Sequence, residues 1–199
     1  MLAVRSFDVN KPGTKINKLS GGVVGGSIIR GEFEKGKEIE ISPGLKVTEK
    51  NRTIWKPIVT KIKSIVSGNS FVDKKGAGGL VAFSTELDPA IGKGDSLAGN
   101  VVAYKGKSWP VWDYLKLKVS LFDSVVGAKE DTKVIPLKNG EPLMVNSGTT
   151  TTLGVVQKPG TMAELALKKP ICAEANSKVA LSRNVGGRWR LIGFGEILK

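Results

Sequence analysis

Apolar and polar residues alternate along much of this chain with a period of two. Between Leu115 and Phe122 the apolar Leu115, Leu117, Val119 and Leu121 interleave with Lys116, Lys118 and Ser120, which is the pattern of a strand with one buried face. Glu38 to Ser42 repeats it, with Ile39 and Ile41 expected inside and Glu38 and Glu40 outside. The same reasoning predicts strands over Leu2–Phe7, Val23–Ile29, Ile54–Val66, Gly79–Ser84 and Asn100–Tyr104. Beyond Lys105-Gly106-Lys107-Ser108 the grammar restarts, with further strands over Leu143–Asn146, Thr149–Val156, Met162–Leu167, Lys178–Ser182 and Trp189–Ile197. No segment keeps a helical apolar period for ten residues or more, so doubly wound α/β folds are set aside.

Turn formers separate these runs: Lys11-Pro12-Gly13-Thr14, Glu34-Lys35-Gly36-Lys37, Ser42-Pro43-Gly44-Leu45, the stretch Asp73–Gly78, Pro159-Gly160 and Gly186-Gly187. The glycine-rich stretch from Gly21 to Gly44 poses a choice between a phosphate loop and the start of a barrel. A phosphate-cradling loop needs glycines that lead straight into a helix, whose N-terminus supplies the positive field. Val23, Val24, Ile28 and Ile29 are poor helix formers, no Lys-Ser or Lys-Thr pair closes the segment, and Gly92-Lys93-Gly94-Asp95-Ser96 lacks the required spacing. The glycines therefore read as bulges and tight curvature in strands. The expected fold is all-β, two closed or nearly closed β-barrels at 1–108 and 109–199, because closure removes unpaired strand edges.

Charge adds a partner class. Formal net charge is +13, with 18 Lys and Arg against 10 Asp and Glu up to Ser108 and 13 against 8 after it, so neither half is merely a basic tail. An evenly basic folded protein fits a polyanion such as RNA or DNA; a lysine-rich solvated surface suited to high temperature remains the alternative. The single Cys172 excludes an internal disulfide framework and fits a reducing compartment. No apolar run reaches 18 residues and no signal-peptide pattern is present, so the expectation is a soluble cytoplasmic protein without a membrane partner.

The chemistry available is narrow. There are no histidines, and with one cysteine the usual zinc sets and histidine-based triads are excluded. Glu86 and Asp88 are the nearest thing to a carboxylate pair, but beside Pro89 they read as a solvated turn, so no catalytic residue and no metal site is assigned. In Gly186–Gly195, alternation places Trp189 and Leu191 on one face and Arg188, Arg190 and Ile192 on the other. Trp189 is then either a core residue with surface arginines beside it, or Arg183, Arg188 and Arg190 contact phosphate or a partner.

Several motifs go beyond a fold class. Arg5-Ser6-Phe7-Asp8-Val9-Asn10-Lys11-Pro12-Gly13-Thr14 followed by Gly21-Gly22-Val23-Val24-Gly25-Gly26-Ser27-Ile28-Ile29 resembles the start of the second domain of the gamma subunit of archaeal and eukaryotic translation initiation factor 2. Pro43-Gly44-Leu45, Leu87-Asp88-Pro89, Val125–Glu130, Thr149–Gly154 and Gly187–Gly193 continue the resemblance in order to the end of the chain, most closely to archaeal members. That family is related to elongation factor Tu and carries a GTPase domain followed by two β-barrels, and this chain is similar to the two barrels alone. The resemblance implies no cofactor here, with GTP and magnesium belonging to the GTPase domain.

The role implied by the resemblance is delivery of methionyl initiator tRNA to the small ribosomal subunit under GTP control. The implied partners are an alpha subunit, initiator tRNA and the small ribosomal subunit, with a beta subunit reached only through the GTPase domain; the barrels alone are expected to be monomeric. The alpha subunit is implied to dock on Gly44–Thr53, where Lys46, Lys50, Asn51 and Arg52 mark a hairpin with a basic tip, although an ordinary solvated turn has the same composition. The acceptor end of tRNA is implied to lie near Gly25, Gly26 and Ser27 and the loop of Lys74 and Lys75, where small residues admit close approach. Val126 and Lys129, with Arg183, Arg188 and Arg190, are implied to form an interdomain or RNA surface. The barrels of another translational GTPase, such as the selenocysteine-specific elongation factor, and a stand-alone RNA-binding β protein are the competing expectations.

Overall fold

The computed structural model describes residues 1–49, 52–127 and 132–199. They divide into two compact units, Met1–Trp109 and Pro110–Lys199. The first contains β1 (Leu2–Phe7), β2 (Val23–Ser27), β3 (Glu32–Glu34), β4 (Glu38–Glu49), β5 (Arg52–Ser67), β6 (Ser70–Val72), β7 (Lys74–Gly76), β8 (Leu80–Thr85) and β9 (Val101–Tyr104). Six strands close a barrel in the order β4, β9, β1, β2, β8, β5, and β5 pairs back onto β4. β6 extends the ring from β5, and β3 pairs with β7 in a separate two-stranded sheet.

The barrel closes because each strand carries its apolar residues on one side. Ile39 and Ile41 are fully buried while Glu38 is exposed and Glu40 half-buried, and Ile62, Ile65, Phe83 and Val102 join them inside. Each such side chain contributes about 1.5–3 kcal/mol by leaving water. Phe33 projects from β3 into the same core, with its ring 5.1 Å from Phe83 and 5.2 Å from Tyr104. The Leu87-Asp88-Pro89 segment caps a short helical turn at Pro89–Gly92, in which the Asp88 carboxylate accepts the Ala90 N–H at 2.8 Å. That bond is the role of Asp88 in the fold.

The second unit contains β10 (Val111–Leu121), β11 (Pro142–Ser147), β12 (Thr150–Lys158), β13 (Met162–Cys172), β14 (Lys178–Val185) and β15 (Arg188–Ile197). They form a closed antiparallel barrel in the order β10, β13, β12, β11, β14, β15. Leu115, Leu117 and Val119 of β10 meet Leu143, Val145, Val156, Leu165, Leu181 and Ile197 in one buried cluster. Gly186 and Gly187, at φ of +58° and +78°, make the two-residue connection between β14 and β15, a turn with left-handed backbone at both positions.

The inward and outward assignment of β15 is corrected by a bulge. Pairing with β14 slips where Leu181 and Ser182 oppose Gly193 and Leu191, so Ile192 is an extra residue. Ile192 turns inward and is fully buried, Leu191 is only half-buried, and Trp189 is half-buried and outside the core cluster.

The alternation in β10 is open to direct test. Leu117→Ala is expected to destabilise the chain by about 2–5 kcal/mol, whereas Lys118→Ala, one position along on the solvent face, changes stability by no more than about 0.5 kcal/mol. Urea unfolding of the two variants checks the pair.

Candidate functional site

The segment expected to dock the alpha subunit, Gly44–Thr53, falls in the paired ends of β4 and β5. Ser42-Pro43-Gly44-Leu45, expected to be a turn between strands, instead lies within β4. The Ser42–Pro43 peptide is cis, the register with β5 shifts between Ile41 and Leu45, and the Gly44 N–H is taken by the buried Asn100 Oδ1 at 2.8 Å. The strand bends there and continues, because a bulge and a turn draw on the same residue types. β9 pairs with β4 only as far as Ser42, so Leu45–Glu49 and Arg52–Lys56 run on as a two-stranded ribbon.

Direct cross-strand partners lie on one face, which sorts the ribbon into two sides. Leu45, Val47 and Ile54 share one face with the Lys56–Glu49 ion pair. Exposed Lys46 shares the other with Trp55, Thr48 and Thr53. Lys50 and Asn51 lie outside the described residues, and Arg52 opens β5.

The second candidate surface is also brought together. Ser27 Oγ donates to the Gly79 carbonyl at 3.2 Å and the Gly78 N–H donates to the Ile28 carbonyl at 2.9 Å, so the end of β2 lies against the segment entering β8. Gly25 and Gly26 are buried in the sheet. At Gly26 a Cβ would sit 1.9 Å from the Leu2 carbonyl oxygen, so the bare position is already required by β1, whereas Gly25 has room for a methyl group.

Lys74 and Lys75 do not belong to a loop. Lys74–Gly76 is the strand β7, paired with Glu32–Glu34, and the Lys74 ammonium lies 2.6 Å from Glu32 Oε1. That hydrogen bond to Glu32, and then its charge, raise the Lys74 pKa above the usual lysine value. Lys75 stands opposite Phe33 and is half-buried. Nearby, a pocket of about 340 Å³ is lined largely by apolar side chains, among them Ile29, Phe33, Tyr104 and Trp109, with Arg30 and Lys107.

In the second unit the arginines separate. Arg183 is no surface cation. Its Nε and Nη2 bind both oxygens of Glu141, Nη1 donates to the Ile135 carbonyl at 2.9 Å and Nη2 reaches the Pro136 carbonyl at 3.3 Å. The two side chains are only 11% and 15% exposed. Arg188 is exposed. Arg190 lies against Gly127, where a Cβ would meet its Nη1 at 2.9 Å, and the Val126 N–H donates to the Leu191 carbonyl at 3.1 Å. Val126 and Arg190 are therefore neighbours, and Lys129 lies outside the described residues.

The polar residues of the Arg5–Asn10 motif have a role that sequence reasoning missed. Asp95 accepts from Arg5 Nε at 2.8 Å and from the Ser6 N–H at 2.9 Å, and buried Ser6 Oγ accepts the Leu97 N–H at 3.0 Å. The Arg5 hydrogen bond, then the Ser6 N–H, hold the Asp95 carboxyl below the usual aspartate value. Asp8 is lowered likewise, first by the Asn10 backbone N–H and then by its side chain. Asp-x-Asn spacing was the available signal, since such residues close turns on their own backbone. Among the described residues no group of histidine, cysteine, aspartate or glutamate side chains could hold a metal ion, and no helix is long and apolar enough to cross a membrane.

Comparison with known proteins agrees with this architecture. Residues 113–197 match the family described as Initiation factor eIF2 gamma, C terminal. The translation initiation factor 2 subunit gamma of Methanocaldococcus jannaschii is 52% identical over 198 residues, which cover 99% of this chain and 48% of that protein. The corresponding subunit of Thermococcus onnurineus is also 52% identical with the same coverage. The chain thus spans about half the length of the curated relatives it matches. Among solved structures, translation elongation factor SelB from Methanococcus maripaludis bound to a GTP analogue superposes with a TM-score of 0.69 at 16% identity, covering 99% of this chain and 42% of that one. A bacterial selenocysteine-specific elongation factor gives 0.66 at 20% identity, covering 98% and 27%. These likenesses establish the fold, two barrels of the kind found as the second and third domains of elongation factor Tu.

Two outcomes follow from the geometry. Arg183→Ala leaves Glu141 buried without its partner and is expected to lower stability by about 3–5 kcal/mol, while Arg183→Met combined with Glu141→Leu recovers most of the loss; chemical unfolding distinguishes them. The Asp95 carboxyl, followed by carbon NMR, is expected to titrate below 3.8 and to move back toward that value in Arg5→Ala. Since the folded value is depressed, this contact stabilises the protein above the unfolded pKa and is lost as pH falls through the folded one.

Proposed function

Because the chain belongs to the translation initiation factor 2 gamma family, we propose that it forms the two-barrel scaffold of a cytoplasmic factor that delivers methionyl initiator tRNA to the small ribosomal subunit in a GTP-dependent manner. In this reading these residues perform no catalysis; they dock an alpha subunit and contribute part of the groove for the tRNA acceptor end. GTP, magnesium and a beta subunit belong to a GTPase domain. The observation that carries the proposal is identity of 52% sustained over 99% of the chain, against 20% for a selenocysteine-specific elongation factor and 16% for elongation factor SelB, which share the fold.

The alpha subunit is assigned to the β4–β5 ribbon. A two-stranded ribbon beyond a barrel wall offers both of its faces to a partner, and Lys46 with Lys50, Asn51 and Arg52 gives its end a positive charge suited to an acidic surface. For RNA, Gly25 and Ser27 with the adjoining Gly78 and Gly79 supply backbone without bulky side chains, Gly26 between them is bare to admit β1, and Lys75 supplies the cation, since Lys74 is held by Glu32. Val126, Lys129, Arg188 and Arg190 are assigned to an interdomain or RNA surface of the second unit. Arg183 is set apart from it as the anchor of that unit's own chain.

Calorimetric titration with the carboxy-terminal domain of an archaeal alpha subunit tests the reading. Saturable one-to-one binding is expected, weakened about tenfold or more when Lys50, Asn51 and Arg52 are replaced together by alanine. Absence of binding by the folded protein would overturn the assignment of the ribbon.

A further inference from the structure

At the root of the β4–β5 ribbon the backbone ladders on both sides of β4 lapse. β9 reaches no further along β4 than Ser42, and β5 resumes its register only at Leu45. Pro43 has no N–H to offer, so the Gly44 N–H is the donor left between Ser42 and Leu45. A side chain meets it, the Oδ1 of Asn100 at 2.8 Å, 56 residues away in sequence. Gly44 is bare for the same junction: its φ is +87°, and a Cβ there would sit 1.9 Å from the Lys56 carbonyl oxygen. The root of the ribbon is thus held between β5 on one side and Asn100 on the other.

Asn100 is itself immobilised. It is 1% exposed, its Nδ2 donates to the Leu97 carbonyl at 2.9 Å, its own N–H reaches the same carbonyl at 3.2 Å, and its carbonyl accepts the Ala3 N–H at 2.9 Å. Leu97 is anchored in turn, since its N–H donates to the buried Ser6 Oγ at 3.0 Å. These partners fix the amide's orientation, because only its oxygen can accept from Gly44 and only its nitrogen can donate to Leu97. Asn10 makes a similar clamp, its Nδ2 donating to the Ser20 carbonyl at 2.8 Å and its Oδ1 accepting the Ser20 N–H at 2.7 Å. That clamp closes the β1–β2 connection on itself, whereas Asn100 ties the β1 wall to the root of a different element.

We propose that Asn100 is a positioning residue that sets the direction in which the β4–β5 ribbon leaves the barrel, and through it the affinity for the alpha subunit. The affinity half rests on the assignment of that subunit to the ribbon. A continuous ladder fixes the direction of a strand, so the angle of the ribbon is decided where the ladders lapse, and there the Asn100–Gly44 bond reaches across from the side of β1. The lever is long. The five residues Leu45–Glu49 carry the ribbon about 16 Å from Gly44 at about 3.3 Å each, so a turn of about 15° at Gly44 moves its end by about 4 Å. A recognition surface already suffers from a misplacement of about 1 Å. Truncating Asn100 leaves the Gly44 N–H without its acceptor and releases the root, while the apolar contacts inside the barrel remain.

Residual dipolar couplings of the Leu45–Glu49 amides, read alongside calorimetric titration with the carboxy-terminal domain of an alpha subunit, provide the test. In Asn100→Ala, and in Asn100→Leu should the smaller side chain not fold, the ribbon couplings are expected to shift while those of β2 and β8 stay, and affinity to fall about tenfold. Asn100→Asp keeps an oxygen for Gly44 and is expected to recover most of both. Val24→Ala is a buried truncation on β2, the strand farthest round the ring from β4; it is expected to lower the unfolding midpoint and to move neither readout. Ribbon couplings unchanged in the truncated variants, affinity untouched by their shift, or an equal loss in Val24→Ala would each overturn the proposal. Failure of the unsubstituted chain to bind would remove the alpha-subunit reading and the affinity half with it, and the couplings would still decide whether Asn100 sets the direction of the ribbon.

Discussion

Closure of each sheet onto itself decides which side of every strand faces the core, and most of the structure follows from it. In a closed ring no strand can slip by one residue without turning its apolar side chains to water. That is why Ile39 and Ile41, or Leu115 and Leu117, are fully buried although their chain neighbours are charged. It also explains where irregularity is tolerated. The bulges at Ser42–Leu45 and at Ile192 let a strand bend or turn one residue inward while one neighbour, β5 for β4 and β14 for β15, resumes its pairing beyond the irregularity.

This constraint accounts for what could be read from sequence. Two all-β barrels were legible because alternation recurs at each predicted strand, and the turn at Gly186-Gly187 was legible because both positions need left-handed backbone. Ser42–Leu45 misled because proline, glycine and serine serve a bulge as well as a turn. Lys74–Gly76 misled because three polar or small residues carry no periodicity, and its strand exists only through pairing with Glu32–Glu34. Ile192 was placed on the wrong face because one inserted residue reverses the parity of everything before it.

The strands that carry the candidate surfaces were legible in the sequence, the surroundings of their individual side chains less so. Arg183 resembles Arg188 in sequence, yet its acceptors lie 42 to 48 residues earlier in the chain, a separation that local reasoning does not span. Gly26 resembles a position left bare for a ligand, yet the Leu2 carbonyl occupies the space. Such residues carry a family resemblance while serving the fold, so the identity of a motif and the exposure of its side chains are separate pieces of information. The β4–β5 ribbon is the contrasting case, since Leu45–Glu49 and Arg52–Lys56 pair with each other beyond the last residue that β9 reaches.

The Asn10–Ser20 clamp has a consequence of another kind. Two reciprocal hydrogen bonds between one side chain and one backbone unit shut the loop just after β1 ends, so the conformation of residues 11–19 is uncoupled from the register of β1 and β2. Length changes beyond the clamp need not be transmitted to the barrel wall. The loop is thereby a hinge-free appendage, whose shape the Asn10–Ser20 bonds define at one point while the ladder of β1 and β2 defines the wall beneath.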